Sequence, residues 1–152
     1  MRKIKKIVFD MDGTIADLYG RSDWLERIQG SRPVFADLQP MVNMEEVNSL
    51  CEQLEEKGYE IIIITWTPMY ASKNYKNACR LEKKEWLKKY FPMVKNIHMV
   101  QYGTYKHHVI KGIPNALLFD DNMKIRKLWK NFGGVAKNET KIIETLKELL
   151  AC

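Results

Sequence analysis

The sequence predicts a three-layer α/β fold around a mostly parallel five-stranded sheet, and three observations predict it. Short apolar runs recur along the chain, at Ile7-Val8-Phe9, Ile61-Ile62-Ile63-Ile64, Ile97-His98-Met99-Val100 and Ala116-Leu117-Leu118-Phe119. Amphipathic helical patterns separate them, the alternation that parallel strands with right-handed crossovers require. Acidic residues stand directly behind two of the runs, Asp10 and Asp12 after the first and Asp120-Asp121 after the fourth. Doubly wound, Rossmann-like sheets gather their ligands at those carboxyl ends.

The elements follow in order. Ile4, Ile7, Val8 and Phe9 have the length and β-branching of a buried strand, punctuated by Gly13. In an extended chain residues i and i+2 point to one side, so Asp10 and Asp12 are expected to crowd, a repulsion that a cation or a raised pKa relieves. Taken alone, the pair also suits a solvated Asp-Gly turn. A short helix over 22–28 with Ser22 as cap and the breakers Gly30, Pro33 and Pro40 make a minimal cap-like insertion, over about 17–43. Asn43 and Glu46 approximate a capping box ahead of a helix over 44–57, which Gly58 stops. The isoleucine run is a strand buried on both faces and is expected to end at Thr65. Tyr75, Cys79, Trp86 and Tyr90 mark an amphipathic helix over 71–90. Its lysines, Lys83, Lys84, Lys88 and Lys89, read as a solvated face. Strands over 97–100 and 116–119 follow. Ile125, Leu128, Trp129 and Phe132 share a helical face, Val135-Ala136 form a brief fifth strand, and Ile142 to Leu150 close the chain as a helix.

Composition narrows the function classes. The 152 residues suit one domain, and no apolar run approaches the roughly 20 residues that span a bilayer. Lys3, Lys5 and Lys6 open the chain, but Asp10 and Asp12 interrupt the apolar stretch behind them, so no secretory signal is expected and the expected location is cytoplasmic. The cysteines Cys51, Cys79 and Cys152 are odd in number and widely spaced, which fits reduced thiols better than a disulfide framework or a zinc site. A net charge of +6 favours an anionic partner, a phosphate-bearing substrate or a nucleic acid.

If the strands are parallel neighbours, Asp10, Asp12, Thr65, Lys106 and the Asp120-Asp121 pair meet in one crevice. Gathered carboxylates suit a hard cation such as Mg2+, while a lysine and a hydroxyl serve phosphoryl oxygens. These residues also carry a resemblance. Asp10-Met11-Asp12-Gly13-Thr14, Thr65 after the isoleucines, Lys106 in Tyr102-Gly103-Thr104-Tyr105-Lys106, and Asp120-Asp121 after Leu117-Leu118-Phe119 match, in order, the four motifs of the haloacid dehalogenase (HAD) superfamily of phosphohydrolases. The stretch 10–17, Asn122 behind the acidic pair and the small insertion are similar to its 5'(3')-deoxyribonucleotidase-like branch and to small phage-type hydrolases.

The resemblance implies a HAD-like fold and a Mg2+-dependent phosphatase working through an aspartyl phosphate, with nucleotides as the first substrate class. It makes Asp10 the nucleophile and Asp12 the acid and base. It assigns the metal to Asp10, the main-chain carbonyl of Asp12, Asp120 and Asp121. Thr65 and Lys106 become phosphoryl ligands, with Thr67 and Lys111 as competing assignments. Asp121 also reads as a helix cap. Trp66 and Tyr70 either stack a nucleobase or pack a lid. His107 and His108 are expected to be exposed loop histidines, without zinc-ligand spacing. So small an insertion implies an open site or closure by another subunit. A phosphorylated nucleic-acid end, a phosphoprotein, or a non-catalytic binding module of the same fold are the alternatives.

Overall fold

The computed structural model describes residues 3–29, 33–69 and 71–152. Strands β1 (Lys6–Phe9), β2 (Glu60–Thr67), β3 (Asn96–Gln101), β4 (Ala116–Phe119) and β5 (Val135–Lys137) form one sheet in the order β3-β2-β1-β4-β5. Every pairing among the described strands is parallel. Helices α2 (Met44–Glu56), α3 (Lys73–Tyr90), α4 (Met123–Asn131) and α5 (Ile142–Ala151) cross between or flank the strands, and α1 (Trp24–Gln29) lies in the insertion.

The two-residue period of the strands divides the core. Ile7, Phe9, Ile61, Ile63, Leu117 and Phe119 face α2, α3 and α5, whereas Val8, Ile62, Ile64 and Leu118 face α4 and Ile113. All four isoleucines are at most 3% exposed. Each such side chain contributes roughly 1.5–3 kcal/mol by leaving water.

Caps set the helix starts. The Asn43 side chain accepts from Glu46 N–H at 3.1 Å, while the Glu46 carboxylate reaches Lys147 instead of closing a capping box. Ser72 caps α3, and Asn122, not Asp121, caps α4 by accepting from Lys124 and Ile125 N–H. A second departure is β2, which runs two residues past Thr65, because its pairing with β3 continues through Trp66 and Thr67. The insertion is tied at its neck, where Asp17 N–H donates to Gln39 O and Met41 N–H to Ile15 O, both at 2.8 Å. It docks on α3 through Tyr75 Oη donating to Arg27 O (2.6 Å), Trp86 Nε1 to Leu38 O (2.8 Å) and Ala36 N–H to Glu82 (3.0 Å). Among the described residues no helix is long and apolar enough to cross a membrane.

Candidate functional site

The site sits where β1 and β4 end side by side, with Asp10 N–H donating to Phe119 O at 2.9 Å. Beyond Asp10 the strand gives way to a tight turn in which Met11 O accepts from Thr14, Ile15 and Ala16 N–H. Gly13 holds φ +79°, and a Cβ there would stand 2.5 Å from Asp121 Oδ2, so the turn requires glycine. This turn also separates the two acids expected to crowd. Asp10 and Asp12 reach different partners on opposite sides.

On one side Lys106, in a 3-10 turn after β3, is 3% exposed. Its Nζ donates to Asp10 Oδ1 at 2.7 Å and to Asp120 Oδ2 at 2.8 Å. Burial alone would lower the lysine pKa, but the two carboxylates outweigh it and raise it, keeping the ammonium charged. Thr14 completes this side: its hydroxyl donates to Asp10 Oδ2 at 2.9 Å, lies 3.2 Å from Asp121 Oδ1 and accepts from Asp121 N–H. Asp120 is oriented by accepting from Asn122 N–H at 2.9 Å, and Arg126 donates to its main-chain carbonyl. Lys111, the competing lysine, is exposed, and its carbonyl accepts from Lys6 Nζ.

The carboxylates strain against one another. Burial and the Asp10 charge push Asp120 up to about 6 and Asp121 up to about 7. Asp10, Asp120 and Asp121 each offer an oxygen, all within 4.8 Å of one another. A hard divalent cation fits such an oxygen set, and it would relieve the repulsion that raises these pKa values. The Asp12 carboxylate does not belong to this cluster.

On the other side stands a residue whose role the sequence hid. Lys83, expected on a solvated face, is fully buried, and its Nζ donates at 2.7 Å to Asp12 Oδ2, Thr65 Oγ1 and Trp66 O alike. It also lies 4.5 Å from the centre of the Phe35 ring, on the insertion. The available signal was position: Lys83 falls four residues after Cys79 and three before Trp86, on the apolar stripe of α3. Asp12 Oδ1 is buried without a hydrogen-bond partner, and burial raises the Asp12 pKa although Lys83 opposes it. Thr65 is wholly buried, while the Thr67 hydroxyl is spent on Val100 O at 3.3 Å.

A cleft of about 1050 Å³ opens over the acids. Tyr19, Trp24, Leu25 and Ile28 of the insertion wall one side, and Trp66, Thr67, Met69 and Tyr102 line it as well. Tyr19, Leu25 and Tyr102 are about half exposed, and Trp66 is anchored by its indole N–H donating to Thr104 O at 3.0 Å. The insertion is therefore a wall of the site despite its size. Tyr70 lies outside the described residues. His107, expected to be an exposed loop residue, is instead buried and stacked 4.0 Å from the Phe132 ring, and burial lowers its pKa, whereas His108 is exposed.

No family model matches the chain, and no curated protein does. Solved structures do. D,D-heptose 1,7-bisphosphate phosphatase from Burkholderia thailandensis is similar at TM-score 0.60 and 12% identity, over 97% of this chain and 99% of that one. A chain of the Pnkp1/Rnl/Hen1 RNA repair complex gives 0.59 at 17% identity, over 89% of this chain and 42% of its own. The N-terminal part of BF1531 from Bacteroides fragilis, containing a phosphatase domain complexed with Mg, gives 0.55 at 17% identity, over 97% and 40%. At these identities the likeness is one of fold, and the fold is HAD-like.

Proposed function

We propose that this chain is a Mg2+-dependent phosphomonoesterase of the HAD type, a single domain acting on (deoxy)nucleoside monophosphates in the cytoplasm. The observation that carries the reading is the buried Lys106 bridging Asp10 and Asp120 at the floor of an aromatic-walled cleft. Asp10 is the nucleophile: its carboxylate oxygen attacks phosphorus, the phosphorus-to-ester-oxygen bond breaks, and an aspartyl phosphate remains. Asp12, whose pKa is raised by burial, gives its proton to the departing oxygen. It then takes a proton from the water that attacks the acyl phosphate, which restores both acids.

Lys106 and Thr65 bind the transferred phosphoryl oxygens, and Thr14 orients Asp10. Asp10, Asp120, Asp121 and the Asp12 main-chain carbonyl would hold Mg2+, which supplies charge neutralisation at those oxygens. Thr67 contributes a cleft wall, since its hydroxyl already bonds β3.

Two features support a nucleoside monophosphate. Lys106 is the one cationic side chain among the described residues lining the cleft, enough for a single phosphoryl group. Trp66, Tyr102, Tyr19 and Trp24 offer flat apolar surface for a base. The wall made by the insertion favours a small ester over a nucleic-acid end or a phosphoprotein. The test is phosphate release from para-nitrophenyl phosphate and a panel of deoxynucleotides, with and without Mg2+. Mg2+-dependent turnover is expected, fastest on a nucleotide. Normal metal binding without turnover on any substrate would instead identify a binding module.

A further inference from the structure

The phosphatase reading leaves Lys83 without work, although its ammonium is buried and fully hydrogen-bonded. An ammonium has three protons and no acceptor. All three are directed, at 2.7 Å each, to Asp12 Oδ2, Thr65 Oγ1 and Trp66 O. None is left for a substrate, so Lys83 acts on the site through the groups it holds.

Two consequences follow from donor and acceptor bookkeeping. Lys83 can only donate, so Thr65 Oγ1 must accept from it, and the hydroxyl proton of Thr65 must point elsewhere. Thr65 thereby becomes a donor, the polarity a phosphoryl oxygen requires. At Asp12 the lysine occupies Oδ2 and leaves Oδ1 buried without a partner, while Asp12 as a residue lines the cleft. A buried acceptor with no partner is costly unless a proton or a ligand reaches it during function. The carbonyl of Trp66 is the third anchor, so one side chain joins the β1 turn to the end of β2. The Phe35 ring, from the insertion, rests 4.5 Å from the ammonium and closes it off.

We propose that Lys83 is a positioning residue for departure of the leaving group: through its bond to Oδ2 it holds the Asp12 carboxyl in place to give a proton to the departing oxygen. The inference rests on the phosphatase reading, and it makes a distinction that a purely structural lysine would not. Para-nitrophenolate leaves without a proton, whereas the alkoxide of a deoxynucleoside 5'-monophosphate needs one. A defect in presenting Asp12 therefore falls mainly on the nucleotide.

The experiment compares the full chain with Lys83→Met and Lys83→Arg, with Mg2+ present, on both substrates. Lys83→Met is expected to lower kcat on the nucleotide about tenfold more than on para-nitrophenyl phosphate, with KM changed by no more than about twofold. Lys83→Arg should recover part of the difference. Lys83→Gln, which keeps two amide N–H donors but no charge, is read by the same ratio if the Met variant is insoluble. Equal losses on the two substrates, or a loss confined to KM, would overturn the positioning role while leaving the phosphatase reading in place. A wild-type chain inert on both substrates would overturn the two together.

Discussion

Two lysines are buried at this site, one on each side of the Asp10–Asp12 turn, and they do different things with the same charge. Lys106 rises from a loop and meets two carboxylates, Asp10 and Asp120. Lys83 hangs from the middle of α3 and meets one carboxylate, one hydroxyl and one carbonyl. Counting charges, Lys106 sits in an acidic excess that a cation or a proton finishes neutralising, whereas Lys83 and Asp12 balance as a pair. The Lys106 side is therefore built to receive charged ligands. The Lys83 side is built to hold a geometry.

Substitutions can break this contrast. The largest effect is expected at Asp10, whose replacement by Asn should cut turnover at least about 1000-fold while circular dichroism stays unchanged. Retained turnover would place the nucleophile elsewhere. Lys106→Met should lower kcat/KM roughly 100-fold, since it removes charge from the phosphoryl site. It should also lower the melting temperature of the metal-free protein, because an uncompensated buried acid costs on the order of 3–5 kcal/mol. Calorimetry checks that half of the prediction, and Mg2+ should recover part of the loss.

The acidic excess also has a pH signature. Asp120 and Asp121 rise from 3.8 to about 6 and about 7 in the folded chain, through burial and the Asp10 charge. The folded state then binds these protons more tightly than the unfolded state does. Their stabilising contribution is complete below about pH 4 and is lost as pH rises through 6 to 7. Without metal, melting temperature should fall between pH 5 and pH 8, and Asp121→Asn should flatten that slope. Mg2+ should raise it more at pH 8 than at pH 5, by about 3 °C. A metal shift equal at both pH values would separate the raised acids from the metal site. The smallest effect is expected at exposed Lys111, where Met should leave kcat/KM within about twofold. A larger loss there would reopen the choice between the two lysines.

The residues themselves explain which features were legible. The strands carried their signal in the isoleucines and in Leu117-Leu118-Phe119, whose period and length suffice to specify buried parallel strands. Acids directly behind strand ends marked the crevice, because topology alone brings carboxyl ends together. Strand β2 continues past the expected end at Thr65, since a Trp-Thr pair has no local reason to continue a strand until β3 offers it partners. The cap of α4 passed from Asp121 to Asn122 for a similar reason: Asp121 is drawn toward Thr14 and the acidic cluster. His107 looked like loop until Phe132 stacked on it. The charge of Lys83 points to solvent, but its place on the apolar stripe of α3 outweighs it and buries the side chain.

Local pattern thus determined the sheet, its crossovers and the order in which the acidic and basic residues reach one end of it. Period and polarity act over a few residues and need no partner. Tertiary structure decided what those residues do to one another: that the Gly13 turn parts Asp10 from Asp12, that Lys106 bridges two acids and that Lys83 clamps the third. The two lysine contacts depend on hydrogen bonds between residues 71 and 96 positions apart, and no local pattern encodes such a distance.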